Sequence, residues 1–221
     1  MIIDLHIHTI LGSTDSNIDP DLLVDVARKA GLDGLCITEH GNRRPSGIEA
    51  LSSKHNFPIW AGMEASTELG DILIFGLDGY PREIYKAADL SKYVREAGGV
   101  MVAAHPFRFD LSPKPWLKQP QPLTVEEACK RPFLRLVDAM EVANGWCVEQ
   151  DVAFCREVSQ RLCLPGTGGS DAHVLKDVGI CATIFENEIV TDQDLMREIK
   201  AGRCNAADRR LESQKNPVHL Y

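Results

Sequence analysis

Five of the seven histidines fall where an apolar, strand-like segment runs out, and that placement restricts the fold more than any other feature of the chain. The chain opens with Asp4-Leu5-His6-Ile7-His8-Thr9. Side chains at i and i+2 of a strand share a face, so His6 and His8 point the same way. His40 ends Leu35-Cys36-Ile37-Thr38-Glu39-His40, His105 ends Val100-Met101-Val102-Ala103-Ala104-His105, and His173 closes Gly169-Ser170-Asp171-Ala172-His173. Only His55, among polar residues, and His219, near the C-terminus, depart from the pattern. A fold that gathers strand ends around one point brings such residues together across long stretches of sequence.

Carboxylates occupy similar positions: Asp15 in a polar loop, Glu64 after Ile59-Trp60-Ala61-Gly62-Met63, and Asp171 two residues before His173. Imidazole mixed with carboxylate is a donor set for zinc, manganese or iron. The alternative for His6 and His8 alone is a polar edge strand. Five strand-end histidines with three carboxylates beside them favour a metal.

A chain of 221 residues can bury one full core, and α/β barrels of this size are commonly single units. One domain over residues 1–210 is therefore expected, with 211–221 as a tail. No apolar run approaches the roughly 20 residues needed to span a bilayer, and the first residues show no basic stretch followed by an apolar signal core. A cytoplasmic protein without a membrane partner is expected. Seven cysteines without Cys-x-x-Cys spacing form neither a disulfide framework nor a zinc finger, and Cys36, Cys163 and Cys181 read as small core residues. The net charge of −8 argues against broad, non-specific nucleic-acid binding but leaves a small phosphorylated substrate open.

After the first strand, Asp19 reads as an N-cap, Pro20 suits the first helical turn and Gly31 suits the stop, which predicts a helix between them. The return to an apolar strand ending at His40 implies parallel pairing. Strand-like segments recur at 59–65, 71–77, 100–104, 138–142, 164–168 and 180–185. Helical spacing or helix-start residues mark 90–97, 124–130, 149–161 and 192–200. The alternation predicts an α/β barrel with distortions and its site at the C-terminal strand ends. The segment 106–122, rich in Pro, Lys and aromatic residues, reads as a long loop over that face.

Taken together, Asp4-Leu5-His6-Ile7-His8-Thr9, Ser13-Thr14-Asp15, Ile37-Thr38-Glu39-His40, Gly62-Met63-Glu64, Ala104-His105-Pro106 and Gly169-Ser170-Asp171-Ala172-His173 resemble, in order, the motifs of the polymerase and histidinol phosphatase (PHP) phosphoesterases. The resemblance implies a distorted seven-stranded (β/α) TIM-like barrel holding two or three divalent metals that hydrolyse phosphoesters. It implies His6, His8, Asp15, His40, Glu64, His105, Asp171 and His173 as ligands, with Glu64 bridging two ions, and it places Glu64 and Asp171 in the catalytic machinery. Two departures stand out. The strand after Glu64, Asp71-Ile72-Leu73-Ile74-Phe75-Gly76, lacks the histidine that many relatives carry there, and Gly41 follows His40 where an aspartate is usual. Asp71 either substitutes for that histidine or is a polar strand-start residue.

Beside these, Arg108 follows His105-Pro106-Phe107 and can hold a phosphate with two parallel hydrogen bonds. Arg43 and Arg44 after His40 are further candidates, and each of the three is otherwise a solvated loop charge. Asn144 can orient water or substrate, Glu141 can support a ligand imidazole, and Trp60, Trp116 and Trp146 read as packing residues rather than a base-stacking platform, since their neighbours lack a basic stripe. The expected reaction is attack on phosphorus by hydroxide from a metal-activated water, with no covalent serine step at Ser13 or Ser170. The expected substrate is a small phosphorylated molecule, a nucleotide or short oligonucleotide among them, without a stable protein partner. The competing readings are an amidohydrolase-type hydrolase with similar ligands and a non-catalytic metal-binding module.

Overall fold

The carboxylate of Asp19 accepts the backbone N–H of Asp21 at 2.9 Å, Pro20 takes the first helical position, and Arg28 and Lys29 face the carbonyl end, so helix α1 (Pro20–Lys29) is stabilised at both termini. The stop follows at Gly31, with φ +70°. In this computed structural model, which describes residues 1–108, 110–111 and 123–210, α1 joins the parallel strands β1 (Ile2–Ile7) and β2 (Gly34–His40). Helix α2 (Ile48–His55) leads to β3 (Ile59–Thr67), again parallel.

The alternation then breaks. A tight turn folds β4 (Gly70–Phe75) back antiparallel on β3, and β5 (Val100–Ala103), reached through α3 (Ala87–Glu96), pairs antiparallel with β4. Parallel order resumes with β6 (Ala139–Asn144) after α4 (Val125–Cys129), and β7 (Gly166–Gly169) after α5 (Glu149–Leu162). Strand β8 (Cys181–Phe185) runs antiparallel to β1, and β9 (Cys204–Asp208), reached through α6 (Asp192–Lys200), pairs antiparallel with β8. Among the described residues the strand order is β7-β6-β5-β4-β3-β2-β1-β8-β9.

This sheet curls into a nearly closed barrel. One apolar cluster draws residues from eight strands, among them Leu5, Cys36, Trp60, Leu73, Val102, Ala139, Phe185 and Cys204, which only the inside of a curved sheet can do. Leu195 and Ile199 of α6 join it. Ile72 and Ile74, alternating with Leu73 along β4, pack outward against Leu90 and Val94 of α3. A third cluster seats Leu23 and Val24 of α1 over Leu35 and Ile37.

The barrel closes where the end of β7 and the residues after it meet β1. The Asp171 N–H donates to the His6 carbonyl at 2.7 Å and the His8 N–H to the Ala172 carbonyl at 3.0 Å. Gly169 permits the approach, since a Cβ there would lie 2.4 Å from the His6 Cβ. Buried Asp4 pins the seam, accepting the backbone N–H groups of Ser170 and Gly179 at 2.9 Å each and of His6 at 3.2 Å. Burial pushes its carboxyl up to about 6.

The predicted strands and helices are present with boundaries shifted by a few residues. Helix α2 and strand β9 were not anticipated. Helix α2 has Gly47 at its N-cap, no side-chain cap and only Ile48 fully buried, so it carries no amphipathic stripe. Cys36 and Cys181 are buried as expected, whereas Cys163 is exposed: it ends α5 at φ +51°, outside the core. No helix among the described residues is long and apolar enough to cross a membrane. The expected tail 211–221, His219, Trp116 and most of the expected loop 106–122 lie outside the described residues.

Candidate metal centre

Apart from Glu64, which sits within β3, each predicted ligand stands near or just beyond the C-terminal end of a strand, or in the loop after β1, and the barrel brings them all to one place. His6 and His8 leave β1 with their Nε2 atoms 3.0 Å apart, both imidazoles fully buried. Glu64, in the second half of β3, lies between four imidazoles. Its Oε1 is 3.0 Å from His105 Nε2 and 3.5 Å from His6 Nε2, and its Oε2 is 2.9 Å from His40 Nδ1 and 3.4 Å from His8 Nε2. Asp171 Oδ1 closes the other side at 3.3 Å from His8 Nε2 and 3.5 Å from His6 Nε2. At the outer edge Asp15 Oδ2 reaches His40 Nε2 at 3.2 Å and His173 Nε2 at 3.4 Å. The His8 ring stacks against both His40 and His173, with centroids 4.2 and 4.4 Å away.

Hydrogen bonds behind the cluster decide which ring nitrogens face inward. Glu141, whose other oxygen already accepts two N–H groups, lies 3.1 Å from His6 Nδ1 through Oε1 and accepts a hydrogen bond from it there. The Ser13 hydroxyl donates its one hydrogen to Glu39, and therefore accepts from His8 Nδ1, 3.0 Å away. Both Nδ1 atoms thus carry a proton and both Nε2 atoms point at one another, between the carboxylates of Glu64 and Asp171, a field that favours a second proton on His6 or a cation in its place. Lone pairs and anions converging in a buried space fit a cation. Three overlapping sets have this character among the described residues: His8, His40 and His173; His6, His8 and Asp171; and His6, Glu64 and His105.

Protons respond to the same field. Burial opposes a charge on His6, but Asp171, Glu141 and Glu64 outweigh it and hold its pKa well above the ordinary imidazole value. Burial pushes His8 down to about 4. The hydrogen bond to Glu64 raises His40 to about 9. Burial would raise the carboxyls of Glu64 and Asp171, yet neighbouring imidazoles, His6 foremost, hold both far below the usual range. Both carboxylates are therefore ionised at any working pH.

Glu141 is a hub. Besides His6 it accepts the His105 N–H and the Asn144 side-chain amide through Oε2, each at 2.9 Å. Glu141→Gln would place a donor where only acceptors fit, and such supporting partners typically carry ten- to a hundredfold in metal affinity. We expect a loss of roughly that size, read by titrating metal into the chelated protein against a competing indicator. Two of the predicted ligands also have unusual backbones, His105 at φ +30° and Asp171 at φ +53°.

Above the cluster opens a cavity of about 580 Å³, lined by Asp15, His40, Asp71, Arg108 and Trp146 among others. Arg108 points into it, its Nη1 3.0 Å from Asp171 Oδ2. Asp71 borders the cavity but belongs to none of the three donor sets. Arg44 is turned away, engaged by Glu49 at 2.7 Å, Asp78 at 3.0 Å and Asp192 at 3.5 Å, and the neighbouring Arg43 does not line the cavity. Trp60 is buried as a packing residue, but Trp146 is not: it stands 57% exposed at the cavity wall. Glu39, which holds Ser13 and through it His8, went unrecognised in the sequence; its signal was a carboxylate inside the apolar strand β2.

The sequence profile of the PHP domain matches residues 4–125, and that of a PHP-associated segment matches residues 154–204. The uncharacterized protein MJ1587 of Methanocaldococcus jannaschii is 30% identical over 116 residues, spanning 47% of this chain and 67% of that protein. The fold is similar to that of PsfC from Pseudomonas syringae, with a TM-score of 0.63, 22% identity, and coverage of 98% of this chain and 96% of that one. It is also similar to a candidate metal-dependent phosphoesterase from Bifidobacterium adolescentis, with a TM-score of 0.59, 19% identity, and coverage of 90% and 96%.

Proposed function

Since the chain belongs to the PHP domain family, we propose that it is a metal-dependent hydrolase of phosphomonoesters or phosphodiesters, working with two or three divalent ions drawn from zinc, manganese and iron. The observation that carries this reading is the division of labour at Glu64. Its two oxygens face different imidazole pairs, Oε1 toward His6 and His105 and Oε2 toward His8 and His40. A carboxylate so placed can be shared between two cations, whereas the imidazoles of His6, His8 and His105 each turn only Nε2 toward it. His6, His8, Glu64, His105 and Asp171 would hold the inner charge, and His40, Asp15 and His173 the outer. Bound there, divalent ions supply Lewis acidity, which acidifies water and neutralises charge on phosphoryl oxygens.

The chain's own groups do the rest. Glu141 and the Ser13–Glu39 pair hold the imidazoles in the tautomer that offers Nε2. Arg108 is the cation at the cavity wall, and its planar fork of N–H donors suits the oxygens of a phosphate. Asn144 steadies Glu141 and lies 3.4 Å from Asp171. No side-chain nucleophile is needed, and Ser13 is already committed to His8 and Glu39.

The test is a screen of phosphorylated metabolites, short oligonucleotides and amide substrates with manganese, zinc and iron in turn. Turnover of a phosphoester with no amide turnover supports the proposal, and the reverse pattern replaces it with an amidohydrolase. At Arg108, a lost charge-assisted contact is worth about 1.5–3 kcal/mol, or roughly ten- to a hundredfold in kcat/KM. Arg108→Lys, which keeps charge but not the fork, is expected to weaken turnover with metal content intact, and Arg108→Ala to weaken it further. Equal kcat/KM in both variants and wild type would remove Arg108 from substrate binding.

A further inference from the structure

Resting on the phosphoesterase reading, we propose that Trp146 is a stacking platform and that the substrate is a phosphomonoester whose leaving group carries a flat aromatic ring, a nucleoside monophosphate in size and chemistry. A tryptophan left 57% exposed usually reflects loose surface packing, but here the residue is held both at its indole and along its backbone. The indole Nε1–H donates to the Asp171 carbonyl at 2.9 Å. The Trp146 backbone N–H donates to Asn144 Oδ1 at the same distance. Gly145 presses the preceding peptide onto Ser170, where a Cβ would come within 2.2 Å of the carbonyl oxygen, so only glycine allows this loop path.

These anchors tie the indole to the residues that build the metal centre. Asp171 offers its carbonyl to Trp146 and its carboxylate to both the imidazole cluster and Arg108. The indole also stands nearly perpendicular to the His173 imidazole, with centroids 6.4 Å apart. A phosphate held between the cluster and Arg108 thus has an immobilised aromatic surface on the wall of the same cavity. Because the ring is already fixed, stacking on it costs little ordering entropy. Aromatic stacking of a base is sequence-tolerant and adds to binding whichever base is presented. In the reaction, one water forms the new P–O bond, the bond from phosphorus to the nucleoside oxygen breaks, and that oxygen leaves with a proton. Nucleoside and inorganic phosphate are the products.

The experiment compares kcat/KM for adenosine 5′-monophosphate and ribose 5-phosphate, which share the phosphate and sugar and differ in the ring. Wild type is expected to prefer the nucleotide by roughly ten- to a hundredfold, the worth of one stacked base. Trp146→Ala is expected to bring that ratio close to one, and Trp146→Phe to retain most of it. A second readout needs no turnover: quenching of indole fluorescence in the zinc-loaded protein by adenosine 5′-monophosphate, expected in wild type and lost in Trp146→Phe. If phosphoesters are turned over but the ratio is the same in wild type and Trp146→Ala, the platform is wrong and the phosphoesterase reading stands. If no phosphoester is turned over yet quenching depends on Trp146, the platform stands and the reaction class must change. Absence of both the preference and the quenching overturns the platform.

Discussion

Glu64→Gln is expected to reduce turnover by on the order of a thousandfold or more, the scale seen when a residue acting as part of a catalytic unit is removed. Gln has nearly the same shape, so the consequence is electrostatic. Glu64 is the anion that each of four imidazoles faces at 3.5 Å or less, and its carboxyl is ionised at any working pH. The amide has one acceptor instead of two and turns an N–H donor toward an inward-facing nitrogen. Bound cations then lose the charge that offsets their mutual repulsion. Metal analysis should show fewer than the wild-type number of ions, while circular dichroism remains that of a folded barrel. Wild-type turnover in a folded variant with reduced metal content would take Glu64 out of the mechanism.

Exhaustive chelation is expected to abolish activity and to lower Tm by roughly 5–10 °C, with both restored by manganese, zinc or iron. Metal present at a hundred times its Kd stabilises by about 2.7 kcal/mol, and for a chain of this length each kcal/mol moves Tm by about 2–4 °C. The direction follows from what chelation leaves behind: a buried group of carboxylates and imidazoles whose charges no longer balance. Elemental analysis of the freshly purified protein should find at least two divalent ions per chain. Metal uptake should weaken from pH 8 to pH 5, because the ligand imidazoles must shed protons to bind. Finding no transition metal, and no uptake on incubation, would contradict the proposed metal centre.

The gathering of the candidate histidines was legible in the sequence because it follows from a local rule. A histidine that ends an apolar run is placed by its strand alone, and once the strands form a barrel His6, His8, His40, His105 and His173 have few other places to go. The reversal of β4 was not legible: its residues alternate and bury like those of a parallel strand, and only the two-residue turn at Glu68-Leu69 sets the direction. Helix α2 was hidden for the opposite reason, having almost no buried face. Trp146 reads as a packing residue from sequence because its neighbours lack a basic stripe. Its exposure depends on hydrogen bonds to Asn144 and Asp171, a contact pattern that spacing along one segment does not encode.

His105 and Asp171 carry their side chains into the site from left-handed backbone, at φ +30° and +53°. For residues with a Cβ that conformation costs about 1–2 kcal/mol each, although Asp and His tolerate it better than most. The stability of the barrel and the chemistry of the site therefore pull against each other at these two positions. The proposed metal offsets that strain. In the metal-free protein His105→Gly would relax one of the two positions with no bound ion to lose, whereas in the metal-loaded protein the same change would forfeit a proposed ligand together with the stability that the ion supplies.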